Sequence, residues 1–342
     1  MRAMMLSRLG ALSAESRPLE LVELPTPRPR PDEVLIRVAA CGVCHTELDE
    51  IEGRTPPSRL PRVLGHQAIG RVEAVGSAVT AVRAGDRVGV AWVFRTCGVC
   101  GFCTTGRENL CERFEATGRD ADGGYAEFMT APAAFVHPMP SIFSDLDAAP
   151  LLCAGAIGYR SLRLANLTDG RPLGLTGFGA SAHLVLMMAK RQYPHSPVLV
   201  FARSDEERAF ARELGAAWTG DTDDTPPSLL AAIIDTTPVW KPIVRALGCL
   251  EPGGRLVINA IRKEDADRDW LARLDYPAQL WREKEIKSVA NVTRQDVREF
   301  LTLAASIPIR PEVERYPLAR ANEALADLKA RHVRGAKVLE IG

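Results

Sequence analysis

Residues 174–183 read GLTGFGASAH. Gly177, Gly179 and Ala182 stand there as G-x-G-x-x-A, with apolar, strand-like residues before them and the helix-forming AHLVLMMAKR after them. Glycine at the first two positions allows a tight turn and lets a pyrophosphate come close to the helix N-terminus. Alone the pattern is weak, because any tight strand-to-helix turn resembles it. Its surroundings give it weight. SPVLVFARS (196–204), DEERAFARELGAA (205–217), LLAAIIDTT (229–237) and GGRLVINAI (253–261) alternate strand-like with helix-like or connecting stretches, the pattern of βαβ units on a parallel sheet. This half of the chain reads as an α/β dinucleotide-binding domain.

The end of its second strand bears on which dinucleotide. An acidic residue there bonds the ribose hydroxyls of NAD, whereas a nearby arginine accommodates the extra phosphate of NADP. The chain has Ala202 at that place, followed by Arg203. No carboxylate repels a phosphate and a guanidinium stands beside it, which favours NADP(H). The plainer alternative is that Arg203 is a solvated surface charge.

Working outward, the texture changes near Pro150. The earlier part is short β-rich runs broken by Gly and Asp, among them DEVLIRVAA (32–40), AIGRVEAVGSAV (68–79) and AGDRVGVAW (84–92). After IKSVANVT (286–293) come a helical stretch, a Pro-containing connection, a last helix over LARANEALADLKARH (318–332) and a closing strand in GAKVLEIG (335–342). With 342 residues there is room for two domains. The 43 basic and 43 acidic residues balance, so no attraction to nucleic acid or an anionic membrane surface is expected. No apolar run approaches a membrane span. The opening MRAMMLSRLGALSAESRP reads as a first strand and turn, without a signal cleavage site, a transit peptide being the alternative. Eight cysteines in such a chain point to metal or catalysis before disulfides, and to a soluble, cytoplasmic protein.

Six of those cysteines lie in two runs that open alike: CGVCHTELDEIEG from Cys41 and CGVCGFCTTGRENLC from Cys97. Cys97, Cys100, Cys103 and Cys111 form C-x2-C-x2-C-x7-C in one short loop. Four thiolates so close together can fill the four corners of a structural zinc site and leave no position for a substrate. A redox cluster and an iron–sulfur centre fit the same count and remain open. Around the first run, Cys41, Cys44, His66, Cys153 and Cys249 are the remaining candidates. A catalytic zinc takes three protein ligands and keeps one open position, which two thiolates and an imidazole would satisfy. Cys153 is well placed to complete such a set, at the junction of the two textures. On spacing alone this is weak, since a separated Cys or His is more often a packed side chain.

CGVCHTEL, GHQAIGRVEAVGSAV, the lobe ending in GRENLC and PLLCAGAIGY follow one another in an order that resembles the zinc-containing medium-chain alcohol dehydrogenases, over nearly the whole chain. The resemblance implies a GroES-like β-rich catalytic domain from residues 1–154 and 292–342, around a Rossmann, doubly wound parallel-sheet NAD(P) domain at 155–291. It implies one catalytic zinc on Cys44, His66 and Cys153 and one structural zinc on Cys97, Cys100, Cys103 and Cys111, leaving Cys41 and Cys249 as packed thiols. It gives Thr46 the role of taking the alcohol proton, His45 a contact to the cofactor pyrophosphate, Glu47 a bond to the ligand imidazole of His66, and Trp92 a place lining the substrate pocket. Two positions depart from the family: Gln67 stands where Glu is usual, and Asp49 where the outer member of the proton relay is often His. The activity implied is reversible hydride transfer between a small alcohol or aldehyde and NAD(P), in a homodimer or homotetramer. Other readings are a quinone or polyol oxidoreductase on the same scaffold, and a non-catalytic or redox-sensing dinucleotide-binding zinc protein.

Overall fold

The computed structural model describes residues 1–342 apart from 14, 308 and 331–334. It divides into two compact units, Met1–Ala156 with Asn291–Gly342, and Ile157–Ala290.

The unit Ile157–Ala290 holds a six-stranded sheet. In spatial order its strands are Trp218–Gly220, Val198–Phe201, Leu173–Thr176, Leu230–Asp235, Leu250–Ile258 and Glu285–Ser288, with every neighbouring pair parallel. Val198–Phe201 (VLVF) and Leu173–Thr176 (LGLT) are buried at every residue. Such unbroken apolar runs are what a parallel sheet covered on both faces selects. The chain order reverses between Leu173–Thr176 and Leu230–Asp235, and crevices at such switch points are where open α/β sheets bind ligands. Helix Asp205–Glu213 starts cleanly because Ser204 Oγ accepts from Glu207 N at 3.1 Å and three acids occupy its first turn. The strand expected at 253–261 begins earlier, at Leu250, directly after helix Lys241–Cys249. Trp218–Gly220 is too short to have announced itself by alternation.

In the other unit the strand Glu33–Val43 is the spine. It pairs antiparallel with Ala68–Val75, with Phe128–Pro132 and with the closing strand Ala336–Glu340, where Leu339 lies opposite Cys41. Both ends of the chain therefore build this sheet, which has seven strands among the described residues. Its inward residues, among them Ile36, Val38, Val72, Val88, Val90 and Leu339, form one apolar core. Each such side chain contributes about 1.5–3 kcal/mol by leaving water. The opening segment is a strand, Arg2–Leu6, paired with Leu19–Glu23. The last helix runs over Ala321–Lys329 after a 3-10 turn at Leu318–Arg320, and residues 331 and 332, expected to belong to it, lie outside the described residues. Among the described residues no helix is long and apolar enough to cross a membrane.

Candidate active site

The spine strand ends at Val43, and Cys44 turns the chain into the short helix His45–Ile51. Cys44 is the N-cap, a place usually held by Ser, Thr, Asp or Asn because a side-chain acceptor must meet a free helical N–H. Here the thiol performs that function: Thr46 N donates to Cys44 Sγ at 3.4 Å, while Cys44 N donates to Glu47 Oε2 at 2.9 Å. This reciprocal box fixes the sulfur and the Glu47 carboxylate together.

The second Glu47 oxygen, Oε1, lies 2.5 Å from His66 Nδ1. An ionised carboxylate only accepts, so Nδ1 carries a proton and Nε2 is the nitrogen left to face a metal. That nitrogen is 3.5 Å from Cys44 Sγ. Glu47 and His66 are both buried. His66 is aimed by Gly65, whose φ of +97° is a glycine conformation and where a Cβ would sit 2.3 Å from Tyr125 Cδ1. Cys153 follows the 3-10 turn Ala149–Leu152, and its Sγ joins the group: one ligand atom each from Cys44, His66 and Cys153, all within 4.8 Å.

The spacings fit zinc. Bonds of about 2.3 Å to sulfur and about 2.05 Å to nitrogen at tetrahedral angles separate S from N by about 3.5 Å and S from S by about 3.8 Å. The Cys44–His66 pair is at 3.5 Å and Cys97–Cys103 at 3.8 Å. Cys97, Cys100, Cys103 and Cys111 likewise place their sulfurs within 4.8 Å of one another. The two groups draw on separate cysteines, so the two CGVC runs end in different places. Cys41 is fully buried with its thiol 3.7 Å from Gly42 O, and Cys249 belongs to the other unit.

Without a metal the groups hold protons against one another. The Cys44 thiol is pushed well above its ordinary range by its bond with Cys153, then by burial and the Glu47 charge. At His66 burial opposes the proton, yet Glu47 and Cys44 outweigh it and raise the imidazole well above its usual value. In the lobe, N–H groups of Val99 and Cys100 bring Cys97 down to about 6, while burial pushes Cys103 up to about 11. A metal bound at either group would require these thiols to give up their protons.

The other expected residues are placed as follows. His45 and Thr46 open the helix after Cys44. Asp49 is buried, its Oδ1 bonded by Arg54 Nε at 2.5 Å, and no protein group among the described residues bonds its Oδ2. Gln67 is buried and packs over Gly42, where a Cβ would be 2.7 Å from Gln67 Oε1. Trp92 is buried against Phe114, ring centroids 5.2 Å apart, with the Arg119 guanidinium over its ring at 5.4 Å. Two residues of this unit were not singled out from sequence. Glu50, one helical turn beyond Glu47, is buried with neither carboxylate oxygen bonded, and burial followed by the Glu47 charge raises its pKa well above the carboxylate range. Arg54 also engages Glu52, and only its position just past the helix end hinted at such a function.

In the unit Ile157–Ala290 the glycine turn links strand Leu173–Thr176 to helix Ala180–Gln192. Gly177 has φ +77°, and Gly179 is the N-cap without a side-chain hydrogen bond. A Cβ at Gly179 would meet no atom within 4 Å, so the helix N-terminus is open to an anion there. Ala182 is buried one turn later. At the end of the second strand Ala202 is buried and Arg203 exposed, its guanidinium without a protein partner among the described residues. Arg208, not singled out from sequence, is committed: it donates to Ala202 O at 2.5 Å, Arg203 O at 3.0 Å and Asp205 Oδ1 at 2.6 Å.

Residues 30–141 match the family model described as the alcohol dehydrogenase GroES-like domain. The chain is 46% identical over 332 residues, 96% of its length and 94% of the other, to the probable alcohol dehydrogenase AdhA of Mycobacterium tuberculosis (strain CDC 1551 / Oshkosh). Among solved structures it is similar to an NAD-dependent alcohol dehydrogenase, TM-score 0.88 at 25% identity with all of both chains covered. It is also similar to a cobalt- and zinc-bound thermostable alcohol dehydrogenase from Pyrobaculum aerophilum, TM-score 0.85 at 26% identity over 99% of each chain.

Proposed function

The chain belongs to the zinc-containing medium-chain alcohol dehydrogenases and is an NAD(P)-dependent oxidoreductase acting on alcohols; on that premise we propose that Cys44, His66 and Cys153 hold its catalytic zinc and that NADP(H) is the preferred cofactor. The observation that carries this is the junction of Cys44 Sγ and His66 Nε2 at 3.5 Å, with Glu47 holding the far side of the imidazole. A zinc bound there supplies Lewis acidity toward the alcohol oxygen and stabilises its developing negative charge. Glu47 keeps the Nδ1 proton in place and so keeps Nε2 a ligand. The Thr46 hydroxyl takes the alcohol proton, and the free Oδ2 of Asp49 is its outer acceptor, Oδ1 being held by Arg54. His45 serves the cofactor and Trp92 lines the substrate pocket. The lobe Cys97, Cys100, Cys103 and Cys111 holds a second, structural zinc. Gly177, Gly179 and Ala182 receive the pyrophosphate, so dinucleotide binding belongs to Ile157–Ala290 and metal chemistry to the other unit. Cytoplasmic location and a homodimer or homotetramer complete the proposal; the exposed edge strand Glu285–Ser288 supports assembly.

Arg203, exposed at the end of the second strand and without a protein partner among the described residues, supports NADP(H) and an aldehyde reductase direction. Initial rates of NADPH and NADH oxidation with aliphatic and aromatic aldehydes test this. NADPH is expected to be faster, and Arg203→Ala to raise its KM roughly tenfold, the loss of one charge-assisted contact, with NADH unaffected. Faster NADH oxidation removes Arg203 from cofactor choice and leaves the metal site untouched.

Asp49→Asn tests the relay. The expected result is a kcat lowered by on the order of 10²-fold with its pH dependence altered, as when a positioned base is removed. A pH–rate profile unchanged from wild type takes Asp49 out of the proton path.

A further inference from the structure

A second set of charges lies far along the chain from the metal ligands. Asp235 ends the strand Leu230–Asp235, fully buried, directly opposite Thr176 in the sheet register. Its Oδ1 accepts from Thr176 Oγ1 at 2.6 Å and Thr237 Oγ1 at 2.8 Å. Its Oδ2 accepts from Lys263 Nζ, and the same ammonium donates to Thr237 O at 2.5 Å. Lys263 is itself nearly buried, its side chain 6% exposed.

The three loops so joined follow the first, fourth and fifth strands of the sheet at their carboxyl ends, on the two sides of the switch point. Thr176 immediately precedes Gly177. Thr236 N and Thr236 Oγ1 both donate to Thr176 O at 3.0 Å. A Cβ on Gly177 would lie 3.0 Å from Thr236 Oγ1 and Thr237 Cγ2, so the glycine turn rests on the Thr236–Thr237 segment. The segment bearing Lys263 makes a second tie: Asn259 Nδ2 donates to Ser181 Oγ at 3.1 Å, in the first turn of the helix that starts at the glycine turn.

We propose that Lys263, acting through Asp235, is a positioning residue for the dinucleotide: the buried ion pair braces the Thr236–Thr237 segment against the glycine turn and fixes the turn in its pyrophosphate-receiving shape. The inference rests on dinucleotide binding at that turn, as proposed above. A brace of this kind is a costly way to gain stability, since apolar residues of similar volume usually stabilise a buried site as well or better. Its value lies in geometry, because a preorganised turn spares the ligand the cost of ordering it.

The double variant Asp235→Leu with Lys263→Met removes the pair without stranding a charge, whereas Lys263→Met alone leaves Asp235 uncompensated. The double variant takes the acceptor from the Thr176 and Thr237 hydroxyls, so it is expected to stay folded and to melt a few degrees below the wild type. Its Kd for NADPH and NADH, read by quenching of intrinsic fluorescence, should rise roughly tenfold, with kcat at saturating cofactor falling far less. Lys263→Arg, which keeps the ion pair, should restore most of the affinity. A folded double variant with the wild-type Kd overturns the inference while wild-type binding upholds the function it rests on. If the wild-type chain binds neither dinucleotide, both fall.

Discussion

His66→Ala should lower kcat/KM by at least about 10³-fold, more than any other single change near the helix His45–Ile51. On the proposed ligand set, removing one of three ligands would forfeit most of the Lewis acidity, worth several kcal/mol, and each 1.36 kcal/mol is tenfold in rate. It also strips the Glu47 carboxylate of its imidazole while leaving it fully buried, with only Cys44 N as a partner among the described residues. Glu47→Gln is the graded control, expected to cost about 10–100-fold in metal affinity because it changes only what orients the ligand. Metal analysis should find one zinc fewer in His66→Ala and the lobe zinc retained, with NADPH binding by fluorescence unchanged. Full activity in His66→Ala would remove His66 from the site.

The same residue gives the pH dependence of metal loading. In the metal-free fold His66 holds its proton above the usual imidazole range, and Cys44 holds its own above the usual thiol range. The stability that protonated His66 contributes is fully present below its unfolded pKa of about 6.5 and lost as pH rises through the folded value. Zinc must displace these protons, so zinc uptake by the apo site should strengthen as pH rises.

How far all this was legible depends on the distance over which each residue acts. The glycine turn was readable because Gly177 needs positive φ and Gly179 an open approach, both strictly local demands. The four-cysteine lobe was readable because its ligands lie within fifteen residues of chain, Cys97 to Cys111. Glu47 was set beside His66 by the resemblance, and the capping box that fixes its carboxylate came from the structure. Spacing alone did not bring Cys44, His66 and Cys153 together; the family resemblance did, because the sheet that joins them is non-local. The residues that escaped act through tertiary neighbours. Arg54 reaches Asp49 only because the chain doubles back after the helix at Gly53, and Lys263 meets Asp235 across 28 positions with no periodicity to connect them. The resemblance alone gave Trp92 a place in the substrate pocket, and its burial against Phe114 and Arg119 comes from a strand pairing that no local pattern encodes.

Cys111→Ser should act on stability where His66→Ala acts on rate. Cys111 is the buried member of the lobe, closing the 3-10 turn Glu108–Leu110, and its Sγ accepts from Cys97 N at 3.5 Å. A four-thiolate zinc contributes folding energy outright, about 10–16 kcal/mol in isolated peptides, so three remaining ligands forfeit a large part of it. The loss does not stay in the lobe. Glu108, buried beside Cys111, accepts from Arg294 N at 2.9 Å and Arg294 Nε at 3.2 Å, tying the lobe to the N-terminus of helix Arg294–Ser306. Phe300 of that helix is fully buried, and a Cβ at Gly155 would come within 2.4 Å of its ring. A loosened lobe therefore unpins a helix packed beside the residue that follows Cys153 by two. A loss of several kcal/mol corresponds to a fall in Tm on the order of 10 °C at about 2–4 °C per kcal/mol. Thermal unfolding followed with metal analysis checks it: one zinc fewer, a lower Tm, and kcat/KM per folded molecule reduced far less than in His66→Ala. Chelator should reproduce the contrast in the wild-type chain, taking activity first from the three-ligand site and stability later from the closed lobe. An unchanged Tm in Cys111→Ser would show that the lobe does not depend on a fourth thiolate and that Arg294 and Glu108 hold it unaided.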